Sequence, residues 1–420
     1  MSTISSILAY EVLASGGYPT IEVKVVLDSG VVGTASVPYG ASAGSHEASV
    51  LTDGDKARYH GKGMLSVATN VSEKIFPLIK GKDATNQTAI DKILIEADGT
   101  PQKTTFGGNA ILAVSVAVAN AAANEQKIPL YRHLANHFST GVDFLTLPKP
   151  MVVVIEGGKH ADETTDLQEY CITGIGNETS TESIRKCLES YHTLSKVLKQ
   201  NNLSTNVGNE GAFAPNGIVS NEAPFQFILS AIEQAGYKPG EELGISIDAA
   251  ASEFFKDGKY HLSIEKKSLS ADELISYYEN WFTKYPIATV EDMLAEDDWE
   301  NWVKLKKVTD KYSIPLVGDD LTVTDKTRLQ KAIDMDAISA ILIKLNQIGS
   351  VSETMETCLL AKAHGMMTVP SHRGGGETND STMVDVAVAV GGKYIKVGPT
   401  RGERVSKYNR LMEIERETQK

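Results

Sequence analysis

Short apolar runs that each stop at one polar residue mark the second half of the chain. Leu243-Gly-Ile-Ser-Ile leads to Asp248, Ile287-Ala-Thr-Val to Glu291, and Ile314-Pro-Leu-Val to Asp319. Ile338-Ser-Ala-Ile-Leu-Ile leads to Lys344, Met366-Met-Thr-Val to His372, and Tyr394-Ile to Lys396. After a first gap of 43 residues the polar positions recur at intervals of 28, 25, 28 and 24. That interval is about one strand, one loop and one helix. Parallel strands wound with a helix between each pair put all their C-terminal ends on one rim. The pattern predicts an α/β barrel that gathers three carboxylates, two lysines and a histidine into one pocket.

The first half is patterned differently. Residues 1–35 alternate and turn like a small antiparallel meander, with Ile21-Glu-Val-Lys-Val-Val-Leu bounded by Gly16-Gly17 and Asp28-Ser-Gly30. Residues 36–47 form a Gly-rich loop without periodicity. Asn109 to Gln126 is rich in Ala and Val and reads as a closely packed interior helix ending at Lys127. Leu147-Pro-Lys-Pro150 breaks the pattern and suggests a domain boundary. Further on, Ser350-Val-Ser-Glu353 reads as a capping box, and the glycine after Ala363-His364 ends that helix. The charged tail from Glu413 reads as a final exposed helical turn. No internal repeat or low-complexity tract interrupts the chain.

At 420 residues the chain has room for a barrel and a second domain, and 41% hydrophobic with 23% charged residues is ordinary for a globular protein. A net charge of −13 and a pI near 5.3 disfavour nucleic-acid backbones and anionic membranes as partners. An anionic small substrate fits only if cations are concentrated in the site. Cys171, Cys187 and Cys358 lie far apart, which argues against a disulfide framework or a zinc site and for a reducing compartment. With no signal-like N-terminus and no long apolar run, a cytoplasmic location is expected.

Asp248, Glu291 and Asp319 offer the hard oxygen ligands that suit Mg²⁺ with positions left for substrate and water. A lysine beside another cation and a divalent metal loses proton affinity, so Lys344 or Lys396 is expected to work as a base near neutral pH. His372-Arg373 adds donors for an anion. Together they suit metal-assisted proton abstraction next to a carboxylate, the metals offsetting enolate-like charge. Singly, each residue has a plainer reading. A strand-end acid is usually a helix cap, a rim lysine a solvated charge, and Gly40–Gly44 or Gly374–Gly376 a flexible turn. The joint recurrence at barrel spacing outweighs those readings.

Longer motifs carry a resemblance. Gly318-Asp-Asp-Leu-Thr-Val-Thr, Lys344-Leu-Asn-Gln-Ile-Gly-Ser, Ser371-His-Arg and Lys407-Tyr-Asn-Arg-Leu-Met resemble barrel motifs of the enolases, the phosphopyruvate hydratases of glycolysis. Asp53-Gly-Asp-Lys, Gly61-Lys-Gly and Pro129-Leu-Tyr-Arg-His resemble their N-terminal domain. The resemblance implies an α+β capping domain over residues 1–140 and a TIM-like barrel of variant strand order over 147–420. It also implies two Mg²⁺ ions and a homodimer. By motif, Asp248, Glu291 and Asp319 would hold the first metal and Ser42 the second. Lys344 would take the C2 proton of 2-phosphoglycerate. Glu210, with Glu169 beside it, would protonate the departing hydroxyl. Lys396 would hold the substrate carboxylate. Arg373 and Ser371 would serve the phosphate end, with His160, Gln168 and His372 around the substrate.

Departures from the family cluster near this site. The serine after His-Arg is Gly374 here, which removes a hydroxyl worth about 1.5–3 kcal/mol to a charged group. The Asn-Gly-Gly-Ser-His loop reads Glu156-Gly-Gly-Lys159-His160, Asn209 replaces an aspartate before Glu210, and Ala212 replaces a glycine. Glu-Asp-Pro has become Glu291-Asp292-Met293, and the lid reads Pro38-Tyr-Gly-Ala-Ser-Ala43. Near the N-terminus Ala14-Ser-Gly-Gly-Tyr-Pro-Thr20 departs as well, and Tyr10 stands where an interface arginine is usual. Three readings follow. The first is an enolase proper, and the second a paralogue dehydrating a related phosphorus-bearing hydroxy acid such as a phosphonate. The third is a binding protein on the same scaffold, which the presence of Lys344 and Glu210 disfavours.

Overall fold

The N-terminal alternation folds as the meander it suggests. β1 (Ile4–Leu13), β2 (Pro19–Leu27) and β3 (Val32–Ser36) pair antiparallel in chain order. In β2 Ile21, Val23, Val25 and Leu27 are buried while Glu22 and Lys24 lie on the other face. The structure, a computed structural model, describes residues 2–40, 44–162 and 164–419; Ser42 lies outside them. Helix α1 (Gly108–Gln126) is buried on nearly every side, as its small residues allow, and ends at Lys127 in the left-handed conformation. Asn120 and Asn124 donate to the carbonyls of Thr34 and Val32 at 3.1 and 2.8 Å, fixing α1 to β3.

Eight strands form the barrel sheet: β4 (Lys149–Glu156), β5 (Glu169–Gly174), β6 (Leu243–Asp248), β7 (Ile287–Glu291), β8 (Leu316–Gly318), β9 (Ala340–Ile343), β10 (Met367–Pro370) and β11 (Tyr394–Val397). They are hydrogen-bonded in chain order from β4 to β10, and β11 pairs with β4. A bridge between Ser371 and Lys396 draws β10 toward β11, so the sheet is nearly closed. β5 runs antiparallel to both of its neighbours. Two helices, α2 (Ser180–Gln200) and α3 (Ala223–Gln234), then follow before β6. Reversal of β5 has a consequence for the site. Its first residue, Glu169, sits on the rim where the other strands end, in register with Glu156 and Asp248.

A small cluster including Met151, Val153, Cys171, Val317, Leu342 and Val369 packs apart from the main core. It draws alternate residues from several strands, the way barrel interiors are filled. The cysteines are buried and unpaired. No helix among the described residues is long and apolar enough to cross a membrane.

Two details differ from expectation. The tail is part of α4 (Gly402–Thr418), and it is not simply exposed. Ile414 and Glu415 are buried, and Glu415 accepts the N–H groups of Ser180 and Thr181 at 2.7 and 3.0 Å, where α2 needs acceptors. The Ser350 hydroxyl accepts the Glu353 N–H at 3.2 Å, but the Glu353 carboxylate meets the Ser350 hydroxyl and Lys103, so only half of a capping box forms.

Candidate active site

Each barrel strand ends where its apolar run ends, and the next polar residue emerges on the rim. Asp248 and Glu291 close β6 and β7, Asp319 and Lys344 directly follow β8 and β9, and Lys396 lies in β11. His372 follows β10 by two residues. A cleft opens there, lined by Asp248, Asp319, Lys344, His372 and Lys396 as foreseen, and by His160, Gln168, Glu169, Glu210, Ser371 and Arg373; Glu291, foreseen with them, does not line it and meets the site through Lys396. Tyr39 and Gly40 pair with Gly376 and Gly375, which stitches the N-terminal loop across the barrel mouth.

Lys396 is the hub of one half. Its ammonium lies 2.7 Å from Glu291 Oε1, 2.8 Å from Glu169 Oε2 and 2.9 Å from Asp248 Oδ2. Lys344 contacts Asp319 Oδ2 at 2.5 Å, and Gln347 donates to Asp319 Oδ1 at 2.7 Å. The expected weakening of lysine proton affinity depends on a bound divalent metal; without one, the lysines lean the other way. Burial, Arg373 and Lys396 all push Lys344 down, yet Asp319 prevails and holds it above the lysine range. Lys396 is likewise raised against burial, by Asp248, Glu169 and Glu291. Each lysine faces carboxylates before it faces another cation.

Carboxylates nevertheless outnumber these lysines. Burial first, then Asp248, drives Glu291 well above its ordinary range. Burial and Asp319 push Asp320 up to about 8. Asp292, Asp319 and Asp320 bring ligand oxygens within 4.8 Å of one another. Asp292 is already engaged, accepting the N–H groups of Asp319 and Asp320 at 2.9 and 2.7 Å. Asp248 and Glu291 meet through Lys396. This buried excess of mutually repelling oxygens is the donor set a hard divalent cation relieves, so the residues present fit Mg²⁺.

The opposite corner is built on Glu210, which is fully buried. His160 Nδ1 lies 3.4 Å from Glu210 Oε1 and 3.1 Å from Glu169 Oε1, and His372 Nε2 lies 3.1 Å from Glu210 Oε2. Burial lowers His160, but Glu210 and Glu169 overcome it and carry it up to about 9. Burial raises Glu210, but His372 and His160 hold it well below the carboxylate range. Gly374 abuts this group. A β-carbon there would lie 2.7 Å from Glu210 Oε1 and 2.8 Å from His160 Nε2. The residue is therefore not simply a serine without its hydroxyl, because His160 and Glu210 fill the space a side chain would take. Gly376 has a similar reason, since a β-carbon would enter the Tyr39 ring.

Arg373 is buried, with Nη2 2.8 Å from Glu47 Oε1. Its backbone N–H donates to Glu377 at 2.8 Å, and Lys407 holds Glu377 at 3.1 Å. The Ser371 hydroxyl turns to the His372 carbonyl at 2.9 Å. Lys159 pairs with Glu253 at 2.6 Å, and Met293 is wholly buried. Glu47, Gln347 and Asp320 were not singled out from sequence. Glu47 lies in an aperiodic loop, Gln347 in a one-turn helix, and Asp320 was hidden behind its neighbour Asp319.

Family models match nearly the whole chain: the enolase N-terminal domain over residues 4–134 and the enolase C-terminal TIM barrel domain over residues 144–420. With the carboxylate-and-lysine rim, these matches define a Mg²⁺-dependent lyase of the enolase superfamily type. More narrowly, the chain belongs to the enolase family.

Proposed function

We propose that this chain is a hydro-lyase that converts 2-phosphoglycerate to phosphoenolpyruvate, the glycolytic reaction of its family. The observation that carries the reading is that Lys344 and Glu210, a base and an acid, line one buried cleft beside an excess of carboxylates. Asp248, Glu291 and Asp319 would hold one Mg²⁺, and Ser42 would contribute to a second. Bound there, the metal would offset the negative charge that builds on the substrate carboxylate as the C2 proton leaves. A lysine base working with Mg²⁺ is established for the enolase superfamily at large and is not inferred from this chain.

Lys344 acts from its neutral form, so its present pairing with Asp319 must be given up before it accepts the C2 proton. Lys396 orients the substrate carboxylate, and Arg373 and Ser371 the phosphate. Glu210 delivers a proton to the C3 hydroxyl, which leaves as water as the C2–C3 double bond forms. It needs that proton in the substrate complex, and His160 and His372 are the donors in contact with it. Glu169 and Gln168 keep His160 and the substrate in place. The chain would act as a cytoplasmic homodimer, for which the outward Leu8, Tyr10 and Leu13 of β1 offer apolar surface.

A second reading is favoured by Gly374. With His160 and Glu210 filling the space of the family's serine side chain, the phosphorus end is reshaped, and a phosphonate or related hydroxy acid becomes the alternative substrate. The test is phosphoenolpyruvate absorbance after adding 2-phosphoglycerate and Mg²⁺, with Lys344→Ala as control. Turnover lost in the variant supports the first reading. Folded, metal-binding protein without turnover rejects it in favour of the second.

A further inference from the structure

Glu156 is a carboxylate the proposed reaction does not use. It ends β4, is fully buried, and does not line the cleft. Its Oε1 accepts the N–H groups of Glu210 at 3.0 Å and Ala212 at 2.9 Å. Those donors flank Gly211, whose φ of +89° makes the turn. One oxygen therefore fixes the backbone on both sides of the turn that presents Glu210. The Tyr191 hydroxyl secures the same turn from α2, donating to the Gly211 carbonyl at 2.8 Å. Glu156 Oε2 is buried without a hydrogen-bond partner. It lies against Gly208, where a β-carbon would come within 2.4 Å of it.

An amide oxygen in place of Oε1 would accept the same two bonds. What the acid adds is a second ionisable carboxyl behind Glu210, in a place buried from solvent. Two such groups cannot both ionise cheaply. We infer that Glu156 is a positioning residue that holds the Glu210 turn and, by keeping or releasing its own proton, sets how tightly Glu210 holds one. The inference rests on the reading of Glu210 as the acid.

The groups facing Glu156 are Glu210 across the turn, His160, Glu169 on the adjacent strand, and Tyr191 from α2. Burial and then Glu210 push Glu156 up to about 8, against a smaller pull from His160. At neutral pH Glu156 keeps its proton while Glu210 carries the charge that His160 and His372 meet. Above that range Glu156 ionises as well, and its charge opposes that of Glu210 and so raises Glu210's affinity for a proton.

The test is carboxyl ¹³C NMR of glutamate-labelled, metal-free protein, compared among wild type, Glu156→Gln and Glu210→Gln. The expected result is a carboxyl midpoint near 8 that vanishes in Glu156→Gln and falls by about one unit or more in Glu210→Gln, where the neighbouring charge is gone. A wild-type spectrum with no such midpoint, or one that Glu210→Gln leaves in place, overturns the inference. A second arm uses 2-phosphoglycerate and Mg²⁺. Glu156→Gln should move the pH profile of hydroxyl loss while leaving C2 hydrogen exchange unchanged. An unmoved profile would make Glu156 merely structural. Wild type that neither exchanges nor dehydrates 2-phosphoglycerate counts against the proposed function alone, and the NMR arm then decides the inference.

Discussion

Adding one carbon to Gly374 probes the most consequential departure in the cleft. In Gly374→Ala the new β-carbon would sit 2.7 Å from Glu210 Oε1 and 2.8 Å from both Cε1 and Nε2 of His160. These are closer than carbon contacts allow, and Glu210 and His160 are almost wholly buried, so something must move. Overpacking a tight interior costs about 1–3 kcal/mol. Weakening the His160–Glu210 contact costs up to about 1.5–3 kcal/mol more. His160 has a retreat, since it already meets Glu169 at 3.1 Å, so about 2 kcal/mol in total is the reasoned figure. If that loss falls on the transition state, hydroxyl loss slows roughly 30-fold. Urea denaturation and the elimination rate are the assays, with Gly374→Ser alongside. Both variants should be destabilised and slowed, and serine should not exceed wild type. Alanine without effect, together with a gain for serine on 2-phosphoglycerate, would refute the steric reasoning and show that only a hydroxyl was missing.

Two further predictions concern stability. Burial, and secondarily His137, depresses His133 to about 4 in the folded chain. The unfolded chain therefore takes up the proton first as pH falls. The contribution is complete above about pH 6.5 and is lost between there and about pH 4, by at most about 3 kcal/mol. His133→Gln should flatten that part of a stability-versus-pH curve. Glu415→Ala removes the acceptor of the first two N–H groups of α2 and should cost about 1–3 kcal/mol in urea denaturation, with activity per folded molecule unchanged.

The barrel was legible because its strands are apolar almost throughout, so the residue at which each run stops is the residue that reaches the rim. Asp248, Glu291, Asp319 and Lys344 were found that way. The rule fails for Glu169, which begins a reversed strand and reaches the same rim from the other direction; only the family motif pointed to it. It also fails for Glu210 and His160, which lie between strands. The lysines' direct partners were hidden for another reason. Spacing shows which residues share a pocket but not which one each ammonium touches, and here both touch acids. Gly374 read as a lost hydroxyl because the space beside it is occupied by residues more than 160 positions away in sequence.

In the proposed reaction Lys344 removes a proton and Glu210 helps a hydroxyl depart. Its most direct test follows solvent hydrogen exchange at C2 of 2-phosphoglycerate together with phosphoenolpyruvate formation, in the presence of Mg²⁺. Wild type, Lys344→Ala and Glu210→Gln should be compared. Wild type should show both activities, Lys344→Ala neither, and Glu210→Gln exchange without elimination. Exchange that survives in Lys344→Ala, or elimination that survives in Glu210→Gln, would contradict these roles.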